Sequence, residues 1–227
     1  MSQRSGQHQK VRVEKGFSLL ELLVVIMILG ILAAMAIPGW QRMQRNARLN
    51  GDAHGLSEAL SVAKMRAAAN FTESRVFFYT GGTNPYFRLD VWNKKLLSNA
   101  GCWVPDGLST APQDSDCITT TGTTNTETYL SAGVSAGFGS VTTSLPDGTA
   151  IAQADACRQG QSSPTKTDGS TISNTSCIQF NSRGFASVAA GMYITDGTRI
   201  FGSATNAMGL VHTYEIDASG STNWKPQ

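Results

Sequence analysis

The chain has 227 residues, a length that fits one to two domains, and it is 41% hydrophobic but only 15% charged. Eighteen Lys and Arg against sixteen Asp and Glu leave a formal charge of +2, which excludes a polybasic nucleic-acid protein and a chain with an acidic tail. Seven Pro and 23 Gly are too few for disorder throughout, although Thr, Ser and Gly thicken between Gly107 and Ala150.

In chain order, residues 1–16 carry Arg4, Lys10, Arg12 and Lys15 against Glu14 alone. A basic excess in so short a flank keeps that end in the cytoplasm. Leu22 to Ile37 is then a run of sixteen residues without a polar side chain, and extending it back to Phe17 adds only Ser18 and Glu21. As a helix, residues 17–37 would be about 32 Å long, close to the roughly 30 Å of a bilayer hydrocarbon core. A secretory signal peptide fits poorly, because its apolar stretch is about 7–15 residues and a cleavage region follows. Here the apolar run is longer and passes through Pro38 into a polar but still helical pattern. A plain anchor leaves Glu21 unexplained, since a carboxylate inside a spanning helix costs about 2.5–3.5 kcal/mol and normally marks a function or a partner.

The segment Lys15-Gly16-Phe17-Ser18-Leu19-Leu20-Glu21-Leu22-Leu23 resembles the processing site of type IV prepilins and of the pseudopilins of type II secretion. The resemblance implies cleavage between Gly16 and Phe17 by a prepilin peptidase and N-methylation of Phe17. It places Glu21 fifth in the mature chain, where the family has its Glu, and Pro38 where many members have a helix-loosening Pro. Each part has a physical reason. Small, flexible Gly16 admits an extended backbone to a protease cleft. The amine created on Phe17 can meet Glu21 of a neighbouring subunit, a pair whose value lies in register more than in net stability.

The helical pattern continues to about Asn70, with Leu56, Leu60, Ala63 and Ala67 on one face, a stripe expected to pack on the following domain. Pro38, Gly51 and Gly55 predict a kink or a locally melted stretch. Trp40 suits the outer membrane interface or a contact with the head. Arg42, Arg45 and Arg48 follow at spacings of three as a solvated face, or one facing lipid headgroups or a neighbour's acids.

From Val76 the period shortens. Residues 76–79, 86–92, 177–180, 185–189, 192–195 and 210–216 read as strands, and Asp147-Gly148 and Asp196-Gly197 read as hairpin turns. Strands without long helices between them imply antiparallel pairing. The expected fold class is α+β, a long amino-terminal transmembrane and amphipathic helix packed on an antiparallel β-sheet head. The domain expectation is a leader at 1–16, a membrane and assembly helix at 17–75 and an extracytoplasmic head at 76–227. Ala63-Lys64-Met65-Arg66 leading to Val76, Ile178-Gln179-Phe180-Asn181-Ser182-Arg183-Gly184, and a late strand ending near Asp217 are similar to the GspH/FimT minor pilins or pseudopilins. Residues 93–176 match nothing in that pattern. The resemblance implies a structural subunit, not an enzyme, that initiates or caps a pilus or a type II secretion pseudopilus. Its partners would be the prepilin peptidase, other pilins or pseudopilins, the inner-membrane assembly platform and membrane lipid. The alternative is a pilus-borne module for adhesion or DNA uptake.

Cys102, Cys117, Cys157 and Cys177 all lie on the exported side, where disulfides are favoured. Of three connectivities, Cys102 with Cys117 and Cys157 with Cys177 close the shortest loops. Each bridge is worth about 3 kcal/mol by chain entropy. A zinc site would need other spacing, for there is no C-x-x-C pair and His8, His54 and His212 are scattered; no metal or cofactor is expected.

Gly133-Val134-Ser135-Ala136-Gly137 matches G-x-S-x-G, with His212 downstream, but a nucleophile elbow needs a strand before it and a helix after it. Residues 76–227 hold eight Lys and Arg against eleven Asp and Glu, the wrong balance for a strong DNA site. Arg88, Lys94 and Lys95 remain as a small candidate patch, and Trp224-Lys225 as an aromatic beside a base.

Overall fold

The computed structural model describes residues 17–108, 110–117, 125–159, 169–219 and 222–227. One helix, α1 (Leu19–Ala69), runs without a break in its helical assignment. It is continuous through Pro38, Gly51 and Gly55, so the melted stretch expected there is absent. The chain divides into two compact units between Gln44 and Arg45, and the carboxyl-terminal part of α1 belongs with the head.

Within the head unit ten strands follow among the described residues: β1 (Ser74–Tyr79), β2 (Tyr86–Asn93), β3 (Cys102–Pro105), β4 (Thr128–Tyr129), β5 (Ser135–Ala136), β6 (Thr175–Phe180), β7 (Ala190–Thr195), β8 (Arg199–Thr205), β9 (Val211–Asp217) and β10 (Lys225–Pro226). They form two five-stranded sheets rather than one. The first runs β3-β2-β1-β6, with β4 sharing the outer edge of β2, and the second runs β10-β9-β8-β7-β5. All the strand pairs are antiparallel. The Asp196-Gly197 turn joins β7 to β8 as expected, whereas Asp147-Gly148 forms a turn outside any strand pair.

The helical stripe is the common floor. Leu49, Ala53, Leu56, Leu60, Ala63 and Ala67 are at most 1% exposed. They pack with Val76, Phe78, Phe87, Ile178 and Phe180 of the first sheet and with Met192, Ile194 and Phe201 of the second. Gly55 lets the Phe87 ring come close, since a Cβ there would stand 3.4 Å from Cζ. The opposite face of the second sheet is buried too. Tyr193, Ile200, Tyr214 and Ile216 lie under Val141, Leu145 and Trp224. Trp224 is held in place by its indole N–H, which donates to the Thr143 carbonyl at 2.9 Å.

Two departures from expectation have local causes. Residues 185–189 are not a strand; only Ala186 bridges to Phe180. Asn181 turns the chain there, its Oδ1 accepting the N–H groups of Arg183 and Phe185, and Val188 is left 65% exposed. Conversely, β8 escaped notice because Gly202 and Ser203 interrupt its apolar run. Gly202 is required there: a Cβ would come within 2.7 Å of the Tyr193 ring. That ring's hydroxyl is pushed up to about 12 by burial, reinforced by Asp147.

The stripe predicts that Leu60→Ala lowers stability by about 2–5 kcal/mol through lost burial and a cavity. Leu210→Ala, half exposed, should stay within about 0.5 kcal/mol; denaturant unfolding of the detergent-solubilised chain checks both. A second prediction concerns pH. Burial alone would raise the Asp196 carboxyl, but the Thr198 hydroxyl, the Arg199 and Thr198 backbone N–H groups and the Arg199 charge hold it below the usual carboxylate range. Such a group adds stability that is complete above its unfolded value of about 3.9 and is lost as pH falls through the lower folded value. The gap in thermal midpoint between wild type and Asp196→Asn should therefore narrow as pH drops from 6 towards 3.

Candidate functional site

The amino-terminal unit presents an apolar rod. From Phe17 to Ile37 its large hydrophobic side chains are 44–82% exposed, and a window of α1 with mean hydropathy 2.8 has none of its residues buried. Ser18 begins the helix: its Oγ accepts the Leu20 N–H at 3.3 Å and its carbonyl accepts the Leu22 N–H at 3.1 Å. Glu21 sits three residues later, in the first turn, where negative charge is favoured by the helix dipole. Ser-x-x-Glu is the capping-box spacing, but the Ser18 Oγ accepts from Leu20 rather than Glu21, so the local role of Glu21 is its charge in the first turn. Phe17 is 81% exposed, Glu21 is exposed and Pro38 is helical. Gly16 lies outside the described residues.

This amino-terminal pattern matches the family model for the prokaryotic N-terminal methylation motif over residues 11–37. The chain carries a prokaryotic N-terminal methylation motif. It is also similar to Fimbrial protein Q of Moraxella bovis, with 37% identity over 84 residues, 32% of this chain and 54% of that protein. The match thus spans about half the length of the curated relative. No solved structure matches the chain. One long apolar helix followed by an antiparallel β head is a type IV pilin-like architecture.

The head of this pilin-like chain holds a second constellation. On the face of the first sheet turned away from α1, side chains alternate between ring and guanidinium. Arg75 lies 4.4 Å over the Trp103 ring and 5.6 Å over Phe77, and Arg88 lies 4.3 Å over Phe77 and 5.9 Å over Tyr86. Tyr86 then meets Tyr79 at 5.2 Å and Tyr129 at 5.5 Å. The charge is balanced in the same layer. Arg75 Nε donates to Asp90 Oδ2 at 2.8 Å, Arg88 Nε to Asp90 Oδ1 at 3.1 Å and Arg88 Nη1 to Glu127 Oε1 at 3.1 Å. Arg75 and Arg88 are each 2% exposed and Asp90 is fully buried. Burial is the largest influence on both partners of the first pair, pushing the Asp90 carboxyl up and the Arg75 guanidinium down, while their mutual attraction opposes it.

Cys157 is bonded to Cys177, with Cα atoms 5.0 Å apart, and both belong to this ladder's apolar cluster. Cys102 is bonded to Cys117, with Cα atoms 5.6 Å apart. All four thiols are therefore used in bridges, which leaves no thiolate for a metal. Among the described residues no three His, Cys, Asp or Glu side chains cluster as ligands.

The other candidates are not brought together. Arg88 is buried, so it cannot join exposed Lys94 and Lys95 in a surface patch, and Trp224 is 8% exposed inside the second core. Ser135 pairs with Thr195 at the edge strand β5, whereas exposed His212 lies on β9. Three strand spacings already separate those strands by roughly 14 Å, too far for a nucleophile and its base.

The ladder was missed because β2 reads Tyr86, Arg88, Asp90, Trp92 on one face and Phe87, Leu89, Val91 on the other, a period-two pattern that signals a solvated polar face. The two aromatics bracketing the charges were the available clue. Arg88→Ala, which leaves Asp90 and Glu127 buried with less compensation, should cost about 3–5 kcal/mol. Arg66→Ala, breaking the surface pair with Asp106, should cost under about 1 kcal/mol. Chemical denaturation of both variants separates the two cases.

Proposed function

We propose that the protein is a minor type IV pilin or pseudopilin of the GspH/FimT kind, a structural subunit that initiates or caps a pilus or type II secretion pseudopilus. In this reading residues 1–16 are the leader and prepilin peptidase cuts between Gly16 and Phe17. The amine of Phe17 is N-methylated, residues 17–75 serve as membrane and assembly helix, and residues 76–227 form the exported head. The amino terminus starts in the cytoplasm and the head in the periplasm, in line with the basic excess of residues 1–16.

The observation that carries this reading is the exposed apolar surface from Phe17 to Ile37, broken by the single carboxylate of Glu21, within the methylation motif. Such a surface is far larger than a monomer in water tolerates. It needs lipid first and neighbouring subunits afterwards, with the inner-membrane assembly platform effecting the transfer. Within the filament, the Phe17 amine of one subunit would neutralise Glu21 of another, and Pro38 would mark the place where the helix can loosen. Losing either member of that pair leaves the other charge uncompensated in an apolar setting.

Mass spectrometry of the mature chain tests the processing. The expected species begins at N-methylated Phe17; an intact Met1, or a cut after Ala34, would contradict it. Glu21→Ala should be processed and inserted but incorporated into filaments at well under half the wild-type level. Normal incorporation with normal register would remove the assembly role. The machine whose subunits co-purify with the chain distinguishes pilus from pseudopilus. For the alternative of DNA uptake, a gel shift with the full chain in detergent at low ionic strength should show no retardation, because burial of Arg88 and Trp224 leaves Lys94 and Lys95 without neighbours from that set.

A further inference from the structure

Between Glu21 and Asp52 the sequence holds no acidic residue, but it does hold Arg42, Arg45 and Arg48. All three are exposed on α1. Asp52, the first acid after them, is already engaged: its carboxylate accepts the N–H of Ser131 at 2.8 Å and the Ser131 hydroxyl at 3.0 Å. Arg48 donates to the Ala132 carbonyl at 3.5 Å. Among the described residues no hydrogen bond or ion pair engages Arg42 or Arg45. Residues three apart are neighbours on a helix, and like charges so placed repel. Two exposed guanidinium groups with no carboxylate beside them are therefore unbalanced, and an anion shared between them relieves the repulsion.

The position of the pair selects the anion. With the apolar run to Ile37 filling the hydrocarbon core, a rise of about 1.5 Å per residue puts Trp40 about 4.5 Å, Arg42 about 7.5 Å and Arg45 about 12 Å beyond its edge. The headgroup layer on each side is roughly 5–8 Å thick, and a long basic side chain bends back towards it along its own stem. Trp40 is 63% exposed, an aromatic at the depth where such rings anchor a span. Arg42 thus falls in the phosphate layer and Arg45 at its rim, whereas Arg48 is about 16 Å out and turned to the head. Guanidinium groups bind phosphate oxygens through paired N–H donors, and at that depth the anions are phosphodiesters.

We propose that Arg42 and Arg45 clamp the phosphodiester of an anionic phospholipid at the end of the span away from the leader, with Trp40 fixing the depth. The clamp rests on the reading of residues 17–37 as a membrane helix and is independent of the filament role of Glu21. The test reconstitutes the full chain in phosphatidylcholine vesicles and compares spin-labelled phosphatidylglycerol with spin-labelled phosphatidylcholine, reading the fraction of label immobilised by the protein. The leader bases are first removed as a competing source, by Arg4→Gln, Lys10→Gln, Arg12→Gln and Lys15→Gln. In that background phosphatidylglycerol should still associate at least twofold more strongly than phosphatidylcholine. Adding Arg42→Gln and Arg45→Gln should bring the two lipids level while leaving the thermal midpoint of the head unchanged. Millimolar inorganic phosphate, against chloride of equal ionic strength, should not compete. Equal association of both lipids before those two substitutions, a preference that survives them, or displacement by free phosphate would overturn the clamp. A chain that does not float with the vesicles refutes the membrane reading itself, and the clamp with it.

Discussion

The head depends on one constraint: a single helical stripe must serve as the inner wall for two sheets. Leu49, Ala53, Leu56, Leu60, Ala63 and Ala67 recur at helical spacing, and every one is buried. Leucines and alanines along this row let strands from both sheets approach it, which is why Val76 and Phe78 of one sheet share a core with Met192 and Ile194 of the other. Hydrophobic burial of this kind is non-directional. The strands' own hydrogen-bonded registers, β1 on β2 and β7 on β8, supply the specificity that burial lacks.

Two sheets sharing one helix leave two outer faces to be covered. The long stretch between β2 and β6 performs that task. Its Val141 and Leu145, joined by Trp224 from the tail, cover the second sheet. Its Cys157 and Ile172 cover the aromatic face of the first. The Cys157–Cys177 bridge ties that cover to β6, an economical anchor for a segment with few apolar side chains, because a disulfide acts mainly by limiting the unfolded chain. Covering the first sheet also encloses Arg75, Arg88, Asp90 and Glu127. Charges removed from water require matched partners, and here the match is made by the Asp90 and Glu127 carboxylates together with the Phe77, Tyr86 and Trp103 rings.

The amino-terminal rod obeys the opposite logic. Among the described residues its apolar side chains remain exposed, a surface that another molecule or lipid would bury. Ser18 and Glu21 then have a double aspect. Locally, Ser18 accepts one of the helix's first N–H groups and Glu21 lies in its first turn; Glu21 is also the one charge on an otherwise uncharged span.

Much of this was legible in the sequence. The sixteen-residue apolar run, the Gly-Phe-x-x-x-Glu pattern, the helical stripe to Ala67 and five of the strands all follow from local periodicity, because a helix or strand writes its buried face at a fixed spacing. Residues 185–189 misled because an apolar cluster can be a turn once Asn181 captures the backbone. Alternation in β2 could not reveal whether its polar face met solvent or a cover. The sequence by itself determined the amino-terminal motif, the membrane-length helix and the antiparallel character of the head, since each depends on neighbours a few residues apart. Only the tertiary structure decided that there are two sheets, that Arg88 and Asp90 are interior, and that Val141, Leu145, Cys157 and Ile172, distant in sequence from most of the strands they cover, close both outer faces. Those outcomes depend on which distant segments exclude water from a face, and no local spacing encodes that.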